Sequence, residues 1–411
     1  MTSASVRVVT EDELRAALDV VRTSFLSPPV TDEALAARRS TMDLDRFHAA
    51  FDADGRLCGT ARAFATPLTV PGGEVPACAV TTVGVLPTHR RQGHLSRMME
   101  VQLADAVARG EPVAILVAAE YPIYGRYGYG PATEAVALRL DAVTARWRDE
   151  PTGTVEMVDN ETFAKVIDDL YDRARRATPG HIGWETDRWQ TYAGVEPGHD
   201  GQDDKHRVTP KIVWRDPAGD IQGATAYAVD ESWERNRPAG TATADLLVAT
   251  TDRAEHELLR FLASVDWVTR VSVWLRPVDD PAPLALVDGR AAPLVDRSDH
   301  TWARILDVPA ALAARDYATD GALVVEVDDP FGHAAGRFRL DGGPDGAECT
   351  ATGDDPDLVV PVGALSSAYL GGIGWGRLAA AGWVEERTPG SVARAAAMFT
   401  SSRAPWGALT F

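Results

Sequence analysis

The chain has 411 residues, too many for one ordinary core, and its 45% apolar and 25% charged content is that of a globular protein of two or three domains. A formal net charge of −19, from 60 acidic against 41 basic residues, argues against nucleic acid as a partner, because phosphate binding needs basic stripes. The same charge permits cationic partners such as amines.

No run of about 18 apolar residues is present, so no membrane span or membrane partner is expected. The N-terminus, MTSASVRVVTEDEL, lacks the apolar core of a secretion signal. Cys58, Cys78 and Cys349 are odd in number and widely spaced, which suits neither a disulfide framework nor a zinc site. They are expected to be buried thiols of a cytoplasmic protein, with no metal involved.

Thr10-Glu-Asp-Glu13 has the pattern of a capping box. The helix that follows puts Leu14, Leu18, Val21 and Phe25 on one face, and the two prolines of Ser27–Thr31 end it. Residues 57–70 predict two strands, one alternating through Leu57, Gly59, Ala61 and Ala63, the second passing Leu68 and Val70. The turn Val70-Pro-Gly-Gly-Glu74 leads to residues 80–99, VTTVGVLPTHRRQGHLSRMM. Here the β-branched run Val80–Leu86 predicts a buried strand closed by Pro87, which has no N–H to give a ladder. His89, Arg90, Arg91, Gln92 and Gly93 then precede a helix carrying Leu95, Met98, Met99 and Leu103. Strand, basic glycine-containing turn and helix aim free N–H groups and a positive helix end at one point, which suits a phosphate.

Gly110-Glu-Pro112 stops that helix, and Val113–Ala119 (VAILVAA) predicts a strand buried on both faces. Residues 121–133, YPIYGRYGYGPAT, hold four tyrosines (Tyr121, Tyr124, Tyr127, Tyr129), among which chemistry alone does not choose. Val136, Leu138 and Leu140 alternate as a further strand.

A weaker echo of this order follows: a helix over Asn160–Ala177, strands at Ile212–Trp214, Gln222–Val229 and Ala244–Ala249, a helix through Leu258, Leu259 and Leu262, and a strand Val271–Leu275. The repetition predicts an internal duplication. Its turn, TTDRAEH (250–256), lacks the double arginine and the glycine, so the second copy is expected to be structural. After a linker at Pro277–Pro283 come a strand Trp302–Val308, a helix Pro309–Tyr317, strands at Leu323–Val327, Gly336–Leu340 and Ala347–Ala351, and helices at Leu365–Tyr369, Leu378–Ala381 and Val392–Phe399. Three units are expected, at 1–145, 146–285 and 286–411.

Arg90-Arg91-Gln92-Gly93 resembles the acyl-CoA-binding turn of the GNAT N-acetyltransferases, with Leu95 where a second Gly or Ala is usual. The third unit resembles the sterol-carrier-protein-like α+β fold, although no residue in it demands a lipid. Together with IYGRYGYGPAT, GVLPTHRRQG, DVPAALAARDYA (307–318) and the terminal Phe411, the chain resembles the Eis (enhanced intracellular survival) acetyltransferases of actinobacteria over essentially its full length. The fold this implies is α/β (α+β), with two tandem GNAT-like domains followed by a sterol-carrier-protein-like domain.

The resemblance implies acetyl-CoA as cosubstrate and direct attack by a small-molecule amine, notably of aminoglycosides and at several positions, in a hexamer. It assigns Tyr124 as general acid for the departing thiolate and the C-terminal carboxylate of Phe411 as general base. A free α-carboxyl is a feeble base in water, and desolvation in a cleft would strengthen it. Val83, Gly84 and Val85 would contact the pantetheine arm, and Arg91, Gln92, Gly93, His94, Leu95 and Ser96 would wrap the pyrophosphate. Ala119 and Glu120 would flank the acetyl end, with Glu120 alternatively binding a cationic substrate or capping the loop. Broad regioselectivity implies a wide, acidic cavity, yet Ser27-Pro-Pro29 and Thr410 offer no carboxylate. A lipid-binding protein with a vestigial GNAT unit and a protein-lysine acetyltransferase are the alternatives.

Overall fold

The structure, a computed structural model, describes residues 5–196 and 204–411. Its first sheet starts with β1 (Ser5–Val8), continues after α1 (Leu14–Phe25) and α2 (Asp32–Thr41) with β2 (Phe47–Phe51), and then runs through the hairpin β3 (Leu57–Val70) and β4 (Gly73–Val85). Neither β1, α2 nor β2 was apparent in the sequence pattern. Residues 57–70 form one strand rather than the two expected. Pro67 faces Pro76 across the hairpin, so both missing N–H groups fall on one pair that exchanges no hydrogen bonds. The expected apolar face of α1 also divides: Leu14 and Leu18 are buried, whereas Phe25 is half exposed.

Beyond β4 come α3 (His94–Ala108), β5 (Val113–Val117), the single turn α4 (Tyr121–Tyr124), the two-residue β6 (Gly130–Pro131) and β7 (Glu134–Asp141). The sheet order, β1-β2-β3-β4-β5, is completed by the strand Thr301–Ile305 inserted between β5 and β6. That strand pairs antiparallel with β5 from Thr301 opposite Val117 to Ile305 opposite Val113. In exchange, β7 leaves the first sheet and pairs with Val268–Arg276 and Leu294–Asp299 of the second unit. The expected boundaries at 145 and 285 therefore do not follow the sheets. Residues 134–141 belong by hydrogen bonding to the second unit, and residues 301–305 to the first. The apolar run of β5 needs a partner on each edge, and β6 is too short to supply one.

Besides a short ribbon of Trp233–Glu234 with Arg237–Pro238, the second unit has two larger sheets among the described residues. In one, Ala228–Val229, Gly240–Ala244 and Val268–Arg276 lead to β7 and Leu294–Asp299; in the other, Leu247–Ala249, Ile221–Ala226, Lys211–Arg215 and Thr154–Val158 lie in that order. The third unit is a five-stranded sheet around Gly321–Asp328, covered by helices Val362–Ala368, Trp375–Ala380 and Ser391–Phe399. One apolar core joins all three units, with Leu68, Ile115, Phe163, Leu323, Val360 and Met398 among its members. Cys58, Cys78 and Cys349 are buried free thiols, and burial pushes them up to about 11, 12 and 12.

After its last helix the chain returns to the second unit. Arg403 pairs with Asp252 at 2.7 Å, the Ala404 N–H donates to Asp279 Oδ2 at 2.8 Å, and the Trp406 N–H donates to the Pro179 carbonyl at 3.1 Å. The Trp406 ring stands edge-on to His181 at 4.6 Å, and Ala408 and Leu409 are buried. This docking carries the chain end back to the first sheet.

Candidate active site

Two features of β4 make an opening beside it. First, β4 runs parallel to β5 for only three pairs, from Ala77 opposite Val113 to Ala79 opposite Ile115. From Val80 onward the strands part, leaving main-chain groups on β4 unpaired along that edge. Second, the register against β3 slips between Thr60/Gly84 and Arg62/Thr81, so Thr82 and Val83 together face Ala61. This is a bulge, and Thr82 takes a positive φ of 48° within it. Thr60 Oγ1 braces it by donating to the Thr82 carbonyl at 3.0 Å. A Cβ on Gly84 would come within 2.7 Å of Ser24 on α1, so that glycine lets α1 lie close on the bulged strand.

The basic turn follows. Arg91 and Gly93 have φ of 63° and 80°, and Gly93 is the N-cap of the 15-residue α3. A glycine cap brings no side chain, so the first N–H groups of the helix stay open to an anion. Arg91 and Gln92 are exposed, whereas His94 is buried against Cys58 Sγ at 3.8 Å and Leu95 packs inward. Of the residues expected to wrap a pyrophosphate, His94 and Leu95 thus offer only main-chain groups. The corresponding helix of the second unit, Asp252–Ser264, is closed: Thr251 Oγ1 accepts from the Ala254 N–H at 3.1 Å, and Asp252 and Glu255 stand in the first turn. Its positive end is already satisfied and screened by carboxylates.

The aromatic loop distinguishes its four tyrosines. Tyr121 is 55% exposed and leans edge-on against Trp302 at 4.8 Å. The Tyr127 hydroxyl lies 3.1 Å from Ser96 Oγ, tying the loop to the start of α3. Tyr129 is fully buried with an unpartnered hydroxyl. Tyr124 packs in the same cluster as Val83 and Leu95 and is 8% exposed; burial pushes its phenol up to about 12, with smaller contributions from Tyr127 and Glu120. Arg304, on the incoming strand, donates to the Tyr127 carbonyl at 2.9 Å and pairs with Asp329 at 2.7 Å, so the third unit braces this loop. Ala119 and Glu120 are exposed just after β5, and the Glu120 carboxylate makes no cap bond to α4, which removes the capping role considered for it.

Phe411 lies in a cavity of about 670 Å³ between the first and second units. Leu18, Phe25, Thr81, Thr82, Trp184 and Phe411 contribute to its walls, and the Phe411 ring rests edge-on against Phe64 at 5.7 Å. Thr82 thus faces the cavity that holds the chain end, while Val83 packs with Tyr124, so the bulge is shared by both groups. Among the described residues the lining is mixed in charge: Arg22, Arg38, Arg62 and Arg188 stand against Glu185, Asp187 and Glu196.

Residues 5–132 match a family described as an acetyltransferase (GNAT) domain, residues 180–305 match another of the same description, and residues 308–408 match a sterol carrier protein domain. The chain is 40% identical to an uncharacterized N-acetyltransferase of Streptomyces avermitilis, with 98% of this chain and 97% of the relative covered. It is 33% identical to N-acetyltransferase Eis of Mycobacterium tuberculosis, with 92% of each covered. Eis1 of Mycobacterium abscessus superposes with a TM-score of 0.86 at 33% identity, over 99% of this chain and 100% of that one. The chain belongs to the Eis-like N-acetyltransferases.

Membership in this family makes the protein a GNAT-fold acetyltransferase with two GNAT domains and a sterol-carrier-type third domain. Its acetyl donor, acetyl-CoA, fits the chain on structural grounds. The splay and bulge of β4 leave main-chain groups for an extended arm, and the open N-terminus of α3 beside Arg91 suits a pyrophosphate. The sequence pattern missed Arg62, Thr82 and Trp184. Arg62 sits on β3 opposite Thr81, and only the bulge and the domain packing turn it into a cavity residue.

Proposed function

We propose that this enzyme transfers the acetyl group of acetyl-CoA directly to a small-molecule amine, using the bulge of β4, Tyr124 and the C-terminal carboxylate of Phe411. The observation that carries this reading is the last residue of a 411-residue chain lying inside the cavity that Thr81 and Thr82 line. Chain ends ordinarily fray, and holding this one against Phe64 needs the whole docked tail. A carboxylate there, partly removed from water, takes the proton of the attacking amine as the new C–N bond forms and the C–S bond breaks. Main-chain N–H groups at the bulge stabilise negative charge on the acyl oxygen.

Tyr124 serves the leaving sulfur. A phenol held near 12 is a weaker acid than an ordinary thiol, whose reference value is about 8.5. It therefore steadies charge on sulfur by donating its O–H in a dry site, and the proton held at Phe411 is available to complete the CoA thiol. Val83, Gly84 and Val85 hold the pantetheine arm, Arg91 to Ser96 the pyrophosphate, and Ala119 and Glu120 border the acetyl end. Aminoglycosides are among the acceptors this reading admits, and the same proposal includes assembly into a hexamer, checked by light scattering.

Thiol release from acetyl-CoA, followed with aminoglycosides, polyamines, amino acids and lysine peptides, tests the reading. Turnover of small amines supports it. Turnover of lysine peptides alone would make the enzyme a protein acetyltransferase. A folded sample that neither binds CoA nor releases thiol with any amine would overturn it.

A further inference from the structure

The acceptor side of the cavity has a chemical bias that the family name does not explain. The Arg62 side chain forms no ion pair and no hydrogen bond among the described residues, and its Nε is buried without a partner. Its guanidinium lies over the Phe64 ring, 5.9 Å from the centroid. Burial and the neighbouring Arg188 and Arg38 together lower its pKa to about 10, so the guanidinium is both desolvated and crowded by like charge. A partly buried cation in this state is stabilised by an anion that reaches it. Glu185, the nearest acid in the electrostatic balance, is already engaged by Arg188 at 3.5 Å.

Trp184 Nε1, on a second lining residue, is likewise a buried donor without an acceptor, and it cannot accept. Thr82 Oγ1 and the Tyr192 hydroxyl are also buried without partners and can donate, whereas Arg22 Nε is paired with Asp19 at 3.6 Å. Arg62 Nε and Trp184 Nε1 are thus two donor-only atoms on residues that line one cavity. A ligand that completes this wall brings acceptor oxygens rather than further ammonium groups. The remaining wall, at Leu18, Phe25 and the Phe411 ring, is apolar and suits a hydrocarbon or aromatic body.

Resting on the acetyltransferase reading above, we infer that the preferred acceptor is an amine that also carries a carboxylate on an apolar body, with the carboxylate seated at Arg62 and the amine presented to the Phe411 carboxylate. One end of the acceptor is then neutralised by the protein cation and the other by the protein anion. A polycation satisfies only the second.

The test compares matched acceptors on the full-length enzyme with saturating acetyl-CoA: 4-(aminomethyl)benzoate, its primary amide, and the tricationic spermidine, each in wild type, Arg62→Gln and Arg62→Lys. The expected result is a kcat/KM at least tenfold higher for the carboxylate than for its amide in wild type. That ratio should collapse toward one in R62Q and recover in part in R62K. Spermidine should be the poorest of the three. Turnover with the amide or spermidine preferred would overturn this inference and leave the acetyltransferase reading standing. A uniform loss in R62Q for every acceptor, with the ratio unchanged, would also overturn it, because Arg62 would then act on the Phe411 carboxylate instead. No thiol release with any amine would remove both proposals. If R62Q does not fold, titration of wild type with benzoate against benzamide gives the second readout, and equal affinity for the two would overturn the assignment.

Discussion

The Phe411 ring meets Phe64 edge-on, with centroids 5.7 Å apart and planes at 87°. This contact fixes the residue whose carboxylate is proposed as the base, so placement and chemistry can be varied separately. Adding one residue after Phe411 moves the carboxylate and leaves the ring. We expect kcat to fall about 10²-fold or more, the usual range for losing a general base, with an unchanged melting temperature. Phe64→Ala keeps the carboxylate and loosens it; kcat should fall about 10-fold while the KM for acetyl-CoA holds. Unchanged turnover in the extended enzyme would place the base elsewhere.

Tyr124→Phe removes one hydroxyl from a well-packed ring. A loss of about 10²-fold in kcat is expected, with normal CoA binding. Because burial holds this phenol up to about 12, it stays protonated across the working range. No alkaline limb attributable to it should appear below pH 11. A limb near pH 10 that disappears in Y124F would show that the phenol ionises far more easily than its burial implies.

CoA should bind with a stoichiometry of one per chain. Of the two matching helices of the GNAT units, α3 begins with an uncapped glycine beside basic residues, whereas Thr251 and two acids close the other. Calorimetric titration with CoA measures this directly. Arg91→Glu should raise the Kd about 10-fold or more by putting a carboxylate at the anion seat, and a second site surviving that change would contradict the closed state of the other helix.

His181 and His300 predict acid sensitivity of the docked tail. Burial lowers them from 6.5 to about 3 and about 4, with Arg276 and Arg175 adding to the effect at His181. Between 6.5 and those values the unfolded chain binds protons that the folded chain refuses. Stability therefore falls as pH drops through that window, by up to about 1.4 kcal/mol per pH unit for each histidine. His181 makes no hydrogen bond at either ring nitrogen, so His181→Phe should fold and lose less stability between pH 7 and 5. Urea midpoints at several pH values check this; equal slopes would remove the assignment.

Much of this arrangement was readable from local pattern. The basic turn at 90–93, the both-face burial of Val113–Val117 and the inward face of the helix at Phe163, Ile167 and Leu170 follow from spacing and residue type. Strand exchange was not readable, because nothing in Val136-Ala-Leu138 says whether its partner is β5 or Val271. Arg62 was missed for a related reason. In sequence it is one arginine in an alternating strand, and it becomes a partly buried cation with no partner among the described residues only when Trp184 and Arg188 arrive from another unit. Long-range packing decides both, and periodicity carries no information about it.

The exchange of β7 for Thr301–Ile305 has a consequence in time. During synthesis β5 emerges long before its second partner, with nearly the whole second unit still to be made. At ~5–20 residues per second that is a wait of roughly 10–40 s, during which an apolar strand has one edge open. The nascent chain is therefore expected to be most vulnerable to aggregation and proteolysis just before Ile305 leaves the ribosome, and to gain protection abruptly once that strand inserts.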